Sequence, residues 1–137
     1  FKHINDTYGH LIGDRVLKEI AVTIKNTCRN IDVPARYGGE EFTVILPETA
    51  AKDATIIAER LRKNIAKIEI PIDDKVTLKA TVSIGISEYP SSATDSENLI
   101  KTADDALYKA KNDGKNCIYV HHQGGFYKCL KDNNEKA

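Results

Sequence analysis

With 137 residues, 41% of them hydrophobic and 29% charged, the chain has the size and composition of one ordinary globular domain able to enclose a single core. Twenty basic residues balance twenty acidic ones, which argues against DNA, RNA or membrane adhesion driven by net charge, so any phosphate recognition should be local. No signal peptide or long apolar segment is visible, and Cys28, Cys117 and Cys129 are odd in number, widely spaced and without a Cys-x-x-Cys pair, which fits reduced thiols in a cytoplasmic protein better than a disulfide framework or a zinc site.

Taken in order, Phe1 to Tyr8 reads as a short helix or turn ending near Gly9. Gly13-Asp14 then opens a second helix, in which Val16, Leu17, Ile20, Ala21 and Ile24 form an apolar stripe at helical spacing. His10 reads as a loop histidine with a backbone hydrogen bond. Asn5 and Asp14 are an amide and a carboxylate, groups that together can recognise a guanine edge, where N1–H and the 2-amino group donate and O6 accepts. Taken alone, either is better read as a helix cap. Arg29-Asn30-Ile31-Asp32 reads as a local ion pair worth well under about 1 kcal/mol.

Val33, Ala35 and Tyr37, then Phe42, Val44 and Leu46, alternate as two strands would. Gly38-Gly39 between them signals a hairpin, because glycine alone enters positive φ without steric cost. Glu40 and Glu41 are thereby held at the tip. Adjacent carboxylates on a tight turn repel each other, and either water or a divalent cation has to relieve them. Hard oxygen ligands suit Mg²⁺, which shares its shell with substrate phosphates, and glycine beside them lets a phosphorylated ligand approach the backbone.

Pro47 ends the second strand, since proline cannot donate to a ladder. A helix from about Ala50 to Lys67 follows, with Ala54, Ile57, Ala58, Leu61 and Ile65 on one face. Pro71 to Lys75 reads as a loop. From Val76 to Ser87 apolar and polar residues alternate without a break, the pattern of a strand with one face on the core. Within it Gly85 suits a ligand's approach and close packing equally. After a Ser/Thr-rich loop, a helix from about Glu97 to Asp113 turns Leu99, Ala103, Ala106, Leu107 and Ala110 inward, and Gly114 stands where a C′ residue should. Lys111 and Lys115 at its end complement the helix dipole. Cys117 to Val120 reads as the last strand, and residues 121–137 as a tail without assigned function. No Gly-x-x-x-x-Gly-Lys-[Ser/Thr] occurs, so phosphate binding is not of the P-loop kind.

Several separated blocks carry a family resemblance. Phe1-Lys2-x-Ile4-Asn5-Asp6-x-Tyr8-Gly9-His10-x-x-Gly13-Asp14, Arg36-Tyr37-Gly38-Gly39-Glu40-Glu41-Phe42, Ser83-Ile84-Gly85 and Ala106-Leu107-Tyr108-x-Ala110-Lys111-x-x-Gly114-Lys115-Asn116 together resemble the GGDEF family of diguanylate cyclases, in its Glu-for-Asp form. The resemblance runs from Phe1 to about Tyr119, and domain boundaries of 1–120 and 121–137 follow. It implies an α+β fold, a mostly antiparallel central sheet flanked by helices, like the polymerase palm and nucleotide cyclases. It implies condensation of two GTP molecules into cyclic di-GMP with release of pyrophosphate, in a homodimer, with Mg²⁺ or Mn²⁺ as cofactor and an upstream sensory domain as regulator.

The resemblance also assigns residues. Glu40 becomes a metal ligand, and Glu41 a second ligand or the base for the attacking hydroxyl. Asn5 and Asp14 become guanine contacts. Phe1, Lys2, Gly38, Gly39, Lys111 and Lys115 lie along the phosphates, Lys115 as a point charge where the family often has arginine. Arg29 and Asp32, with Arg60 in support, match an Arg-x-x-Asp inhibitory site for cyclic di-GMP, where Arg29 would fork onto guanine or phosphate and Asp32 accept from a guanine edge. In the family a strand with Asp-x-Asp-x-Phe-Lys leads into the residues matching Phe1-Lys2, and its first Asp is a metal ligand. The chain begins at that Phe, so it is expected to be a fragment of a longer protein and inactive as written. A non-catalytic module sensing GTP or cyclic di-GMP is the alternative.

Overall fold

The computed structural model describes residues 2–129, without the side chain of Lys2. These residues divide into two units, one built on 2–47 with 63–80 and the other on 48–62 with 81–129. The fold is α+β: helices α1 (Lys2–Tyr8), α2 (His10–Thr27), α3 (Ala51–Ala66) and α4 (Ser96–Asn112), with strands β1 (Val33–Gly38), β2 (Glu41–Ile45), β3 (Ile70–Pro71), β4 (Thr77–Leu78), β5 (Ile84–Ile86), β6 (Ile118–His122) and β7 (Gly125–Cys129). Three of the four strand pairings, β1 with β2, β3 with β4 and β6 with β7, are antiparallel. β5 and β6 run parallel.

In the first unit α1 passes into α2 through Gly9, whose N–H donates to the Asn5 carbonyl at 2.9 Å. α2 begins at His10, earlier than the Gly13-Asp14 start expected, so His10 is the first helical residue rather than a loop residue. The expected stripe is the buried face: Val16, Leu17, Ile20 and Ile24 are all at or below 6% exposure, because residues three and four apart share one side of a helix. Asn64 Nδ2 donates to Thr27 Oγ1 at 3.1 Å, and Arg15 Nη1 to the Pro71 carbonyl at 3.1 Å.

In the second unit Ala51 and Ala58 of α3 pack with Ile118 and Val120 of β6, with Ile84, Ile86 and Cys129 against them. α4 lies on β5 and β6. Asp95 caps it, accepting from the Asn98 N–H at 2.8 Å, which starts the helix at Ser96. None of the three cysteines is in a disulfide, and burial pushes the Cys28 thiol up, with Asp32 adding to the shift.

Two further expectations are corrected. The alternation expected over 76–87 appears in burial only as far as residue 82, after which residues 83–87 are all half-buried, and ladder bonding occurs only at Thr77–Leu78 and Ile84–Ile86, because alternation reports which face is covered and not where a partner strand runs. The strand at 117–120 is not the last. β6 continues to His122 and turns through Gln123-Gly124 into β7, with His122 opposite Gly125. Gln123 (φ 50) and Gly124 (φ 77) both occupy the left-handed region that a two-residue type I′ hairpin requires. Among the described residues no helix is long and apolar enough to cross a membrane.

Candidate active site

The first unit contains the hairpin, Asn5, Asp14, Arg29 and Asp32. The hairpin register pairs Val33 with Ile45 and Arg36 with Phe42, then shifts so that Gly38 faces Glu41 and Tyr37 has no opposite residue. That bulge ends the alternation expected for Tyr37 and re-aims the tip. Arg36 braces the turn, donating from Nε at 3.0 Å and from Nη2 to the Gly39 carbonyl. Neither Gly38 nor Gly39 has a positive φ, so conformational freedom is not why glycine stands there. A Cβ built on either meets nothing within 4 Å. The glycines leave open space over the backbone beside two carboxylates, Glu40 exposed and Glu41 half-buried.

Asn5 lies inside α1 and Asp14 inside α2, while the residue preceding α2 is Gly9, with no side-chain cap. The capping alternative is therefore removed for both. The Asn5 Oδ1 is buried and has no hydrogen-bond partner among the described residues, and such an atom is costly unless something supplies a donor. Asp14 is exposed. Phe1 and the Lys2 side chain lie outside the described residues.

Arg29 and Asp32 face each other more fully than a surface pair would. Asp32 Oδ2 accepts from the Arg29 backbone N–H at 2.8 Å, Oδ1 accepts from Nη2 at 2.7 Å, and Nε is 3.1 Å from both oxygens. The Asp32 side chain is fully buried and that of Arg29 is 43% exposed. Arg29's side-chain hydrogen bonds, chiefly, then its backbone N–H and positive charge, hold the Asp32 carboxyl below the usual carboxylate range against the opposing effect of burial. Charge-assisted bonds of this kind contribute about 2 kcal/mol, well above the local ion pair expected.

The depressed folded pKa sets a direction. The stabilisation is complete above the unfolded value of about 3.9 and is lost as the pH falls through the folded value. Asp32→Asn should lower stability by about 2 kcal/mol at pH 7 and flatten the acid limb below about pH 4. Urea titrations at pH 7 and pH 3 read both, and equal slopes of stability against pH in the two proteins would remove Asp32 from this role.

The second unit carries Arg60, Lys111 and Lys115, all exposed. α4 ends in a Schellman arrangement: Gly114 has φ 89 and the Lys115 N–H donates to the Ala110 carbonyl at 3.1 Å. Sequence reasoning missed Arg62. It is 1% exposed, its Nη2 and Nε pair with Glu59 at 2.6 and 3.0 Å, and its Nη1 donates to Asn116 Oδ1 at 2.8 Å. A lone arginine on a charged helix gives no sign of this, because the partner lies 54 residues away.

Residues 1–117 match the family described as diguanylate cyclase, GGDEF domain. The chain belongs to that family. Diguanylate cyclase A of Treponema denticola is 47% identical over 118 residues, 86% of this chain and 32% of the relative. This GGDEF chain therefore spans about a third of that relative's length. Among solved structures, the GGDEF domain of DgcB from Caulobacter crescentus in complex with c-di-GMP superposes with a TM-score of 0.78 at 33% identity, covering 87% of this chain and 70% of that one. The active GGEEF domain of a diguanylate cyclase from Vibrio cholerae gives 0.77 at 30% identity, over 89% and 76%.

The donors at the hairpin tip fit a hard cation in part. Among the described residues no group of three or more His, Cys, Asp or Glu side chains could hold a metal, so a cation at the tip would have at most the Glu40 and Glu41 carboxylates from these residues, and waters and ligand phosphates would have to complete the shell, as magnesium prefers.

Proposed function

We propose that this GGDEF chain is the catalytic part of a diguanylate cyclase that joins two GTP molecules into cyclic di-GMP and releases pyrophosphate. The observation that carries the reading is the hairpin tip: open space above Gly38 and Gly39 beside Glu40 and Glu41. Glu40 and Glu41 would hold Mg²⁺ or Mn²⁺, which when bound neutralises phosphate charge and lowers the pKa of the attacking hydroxyl. Asn5 Oδ1, lacking a partner among the described residues, accepts from the guanine N1–H or 2-amino group, and Asp14 accepts likewise. Lys111 and Lys115 attract the triphosphate, and Phe1 and Lys2 are assigned to the same phosphates.

In the reaction the 3′-hydroxyl oxygen of each GTP forms a bond to the α-phosphorus of the other while the bond from that phosphorus to its pyrophosphate breaks, so that two displacements close the ring and each nucleotide loses one pyrophosphate. The hydroxyl proton passes to Glu41 or to water. One GTP per domain makes a homodimer the working unit, and an upstream sensory domain would govern how two copies meet. Cyclic di-GMP would inhibit at Arg29 and Asp32, with Arg60 in support. Asp32 can accept from guanine only by giving up bonds to Arg29, so its first role is to hold the guanidinium in place.

The test is to give the intact protein GTP and Mg²⁺ and to assay cyclic di-GMP and pyrophosphate, with and without added product. Tight GTP binding without turnover would favour the non-catalytic sensor. The space above the tip makes a second prediction. Gly38→Ala should leave stability within about 0.5 kcal/mol, because the added methyl meets nothing within 4 Å among the described residues, yet weaken GTP binding by about tenfold or more. Undiminished affinity, measured by calorimetry, would place the nucleotide elsewhere.

A further inference from the structure

Beyond the end of α4 three successive residues, Gly114, Lys115 and Asn116, have φ values of 89, 65 and 49. Glycine takes this region freely, but Lys115 and Asn116 stay there only if their surroundings hold them. Asn116 is held by its N–H donating to Ser83 Oγ at 3.2 Å and by Arg62 donating to its Oδ1 at 2.8 Å. Asp113, which closes α4 immediately before the turn, is held by a different set. Its Oδ2 accepts from Lys128 Nζ at 2.9 Å and from the Tyr119 hydroxyl at 2.8 Å. One helical turn earlier, Lys109 Nζ sits 4.9 Å from the centroid of the Phe126 ring, within cation–π range. Lys128 and Phe126 belong to β7, which lies past residue 117 where the family match ends.

We propose that β7 is a clamp on the lysine-bearing end of α4, with Lys128 a positioning residue that fixes the Lys111–Lys115 segment and neutralises Asp113 beside it, so that this end of the helix can receive a triphosphate. The proposal rests on the reading of Lys111 and Lys115 given above. An uncompensated carboxylate between two phosphate-binding lysines would repel the polyanion they attract. Lys128 removes that repulsion and at the same time ties the C-cap residue to the sheet. Hydrogen bonding to Lys128, then to Tyr119, holds the Asp113 carboxyl below its ordinary range, and Asp113 raises both the Lys128 ammonium and the Tyr119 phenol, so the three stand as carboxylate, ammonium and neutral phenol at pH 7. Asp113 and Lys128 are 43% and 40% exposed, and pairs that open to water contribute little to global stability. Their consequence should appear in anion binding instead.

The experiment compares Lys128→Ala and Lys128→Arg with the unaltered intact protein, titrating GTP and guanosine at low and high salt and recording melting temperatures. Lys128→Ala should weaken GTP by about fivefold at low salt, with less effect at high salt, leave guanosine binding and the melting temperature unchanged, and be rescued by Lys128→Arg. The clamp is overturned if GTP binds Lys128→Ala as tightly as the unaltered protein, if GTP and guanosine weaken together with a lowered melting temperature, or if arginine fails to rescue. An unaltered protein that binds guanosine or GTP nowhere would overturn the cyclase reading itself, and the clamp with it.

Discussion

Gly85→Ala is expected to destabilise the protein by about 3 kcal/mol or more, among the larger effects an added methyl produces. β5 lies so close to α4 that a Cβ at Gly85 would stand 2.1 Å from the Ala103 carbonyl oxygen, 2.4 Å from the Leu107 nitrogen and 2.9 Å from the Leu107 Cα. All three are backbone atoms, which cannot swing aside as the end of a long side chain can. The helix has to move off the strand, and Ala106 and Ala110, both fully buried, would lose their packing with it. Denaturant unfolding of the variant measures the effect. A change below about 0.5 kcal/mol would show that α4 tolerates displacement. The outcome also settles what the sequence left open at this glycine, since the space that a ligand would need is already filled by the helix.

The second large effect is on turnover. In the intact protein, if the proposed cyclase reading holds, Glu40→Ala should lower the rate of cyclic di-GMP formation by about a thousandfold or more, the scale of losing a group that stabilises developing phosphate charge. Stability should hardly change, because Glu40 is exposed at the hairpin tip and the turn is braced instead by Arg36 on the Gly39 carbonyl. Steady-state assays over a range of Mg²⁺ concentrations, beside circular dichroism, separate the two quantities. Retained turnover would remove Glu40 from the metal-binding role. The contrast with Gly85 is physical: one position is surrounded by backbone, the other by solvent.

Much of the site was legible because its residues are local in sequence. Gly38-Gly39-Glu40-Glu41 lies on a hairpin whose turn can be read directly, but the structure changes the reason for the glycines, from positive φ to clearance, and does not carry the flanking alternation into burial, since β1 is exposed throughout and bulges at Tyr37. The cap reading of Asn5 and Asp14 failed because both positions fall within helices, and only the helix boundaries at Lys2 and His10 reveal that. β7 had a readable signal in Gln123-Gly124-Gly125 between His121-His122 and Phe126-Tyr127, a glycine turn between β-forming residues. The family pattern ends before this turn, so the resemblance itself carries no mark of β7.

What the sequence determined by itself were the periodic faces of α2, α3 and α4 and the acidic hairpin tip, since both depend on neighbours within a few residues. Tertiary structure alone decided the burial of Arg62 against Asn116, the closure of Gly85 on α4, the full burial of Asp32 beneath Arg29 and the tie from Lys128 to Asp113. Most of those join positions far apart along the chain, and the chemical character of a residue does not state which distant partner will remove it from water.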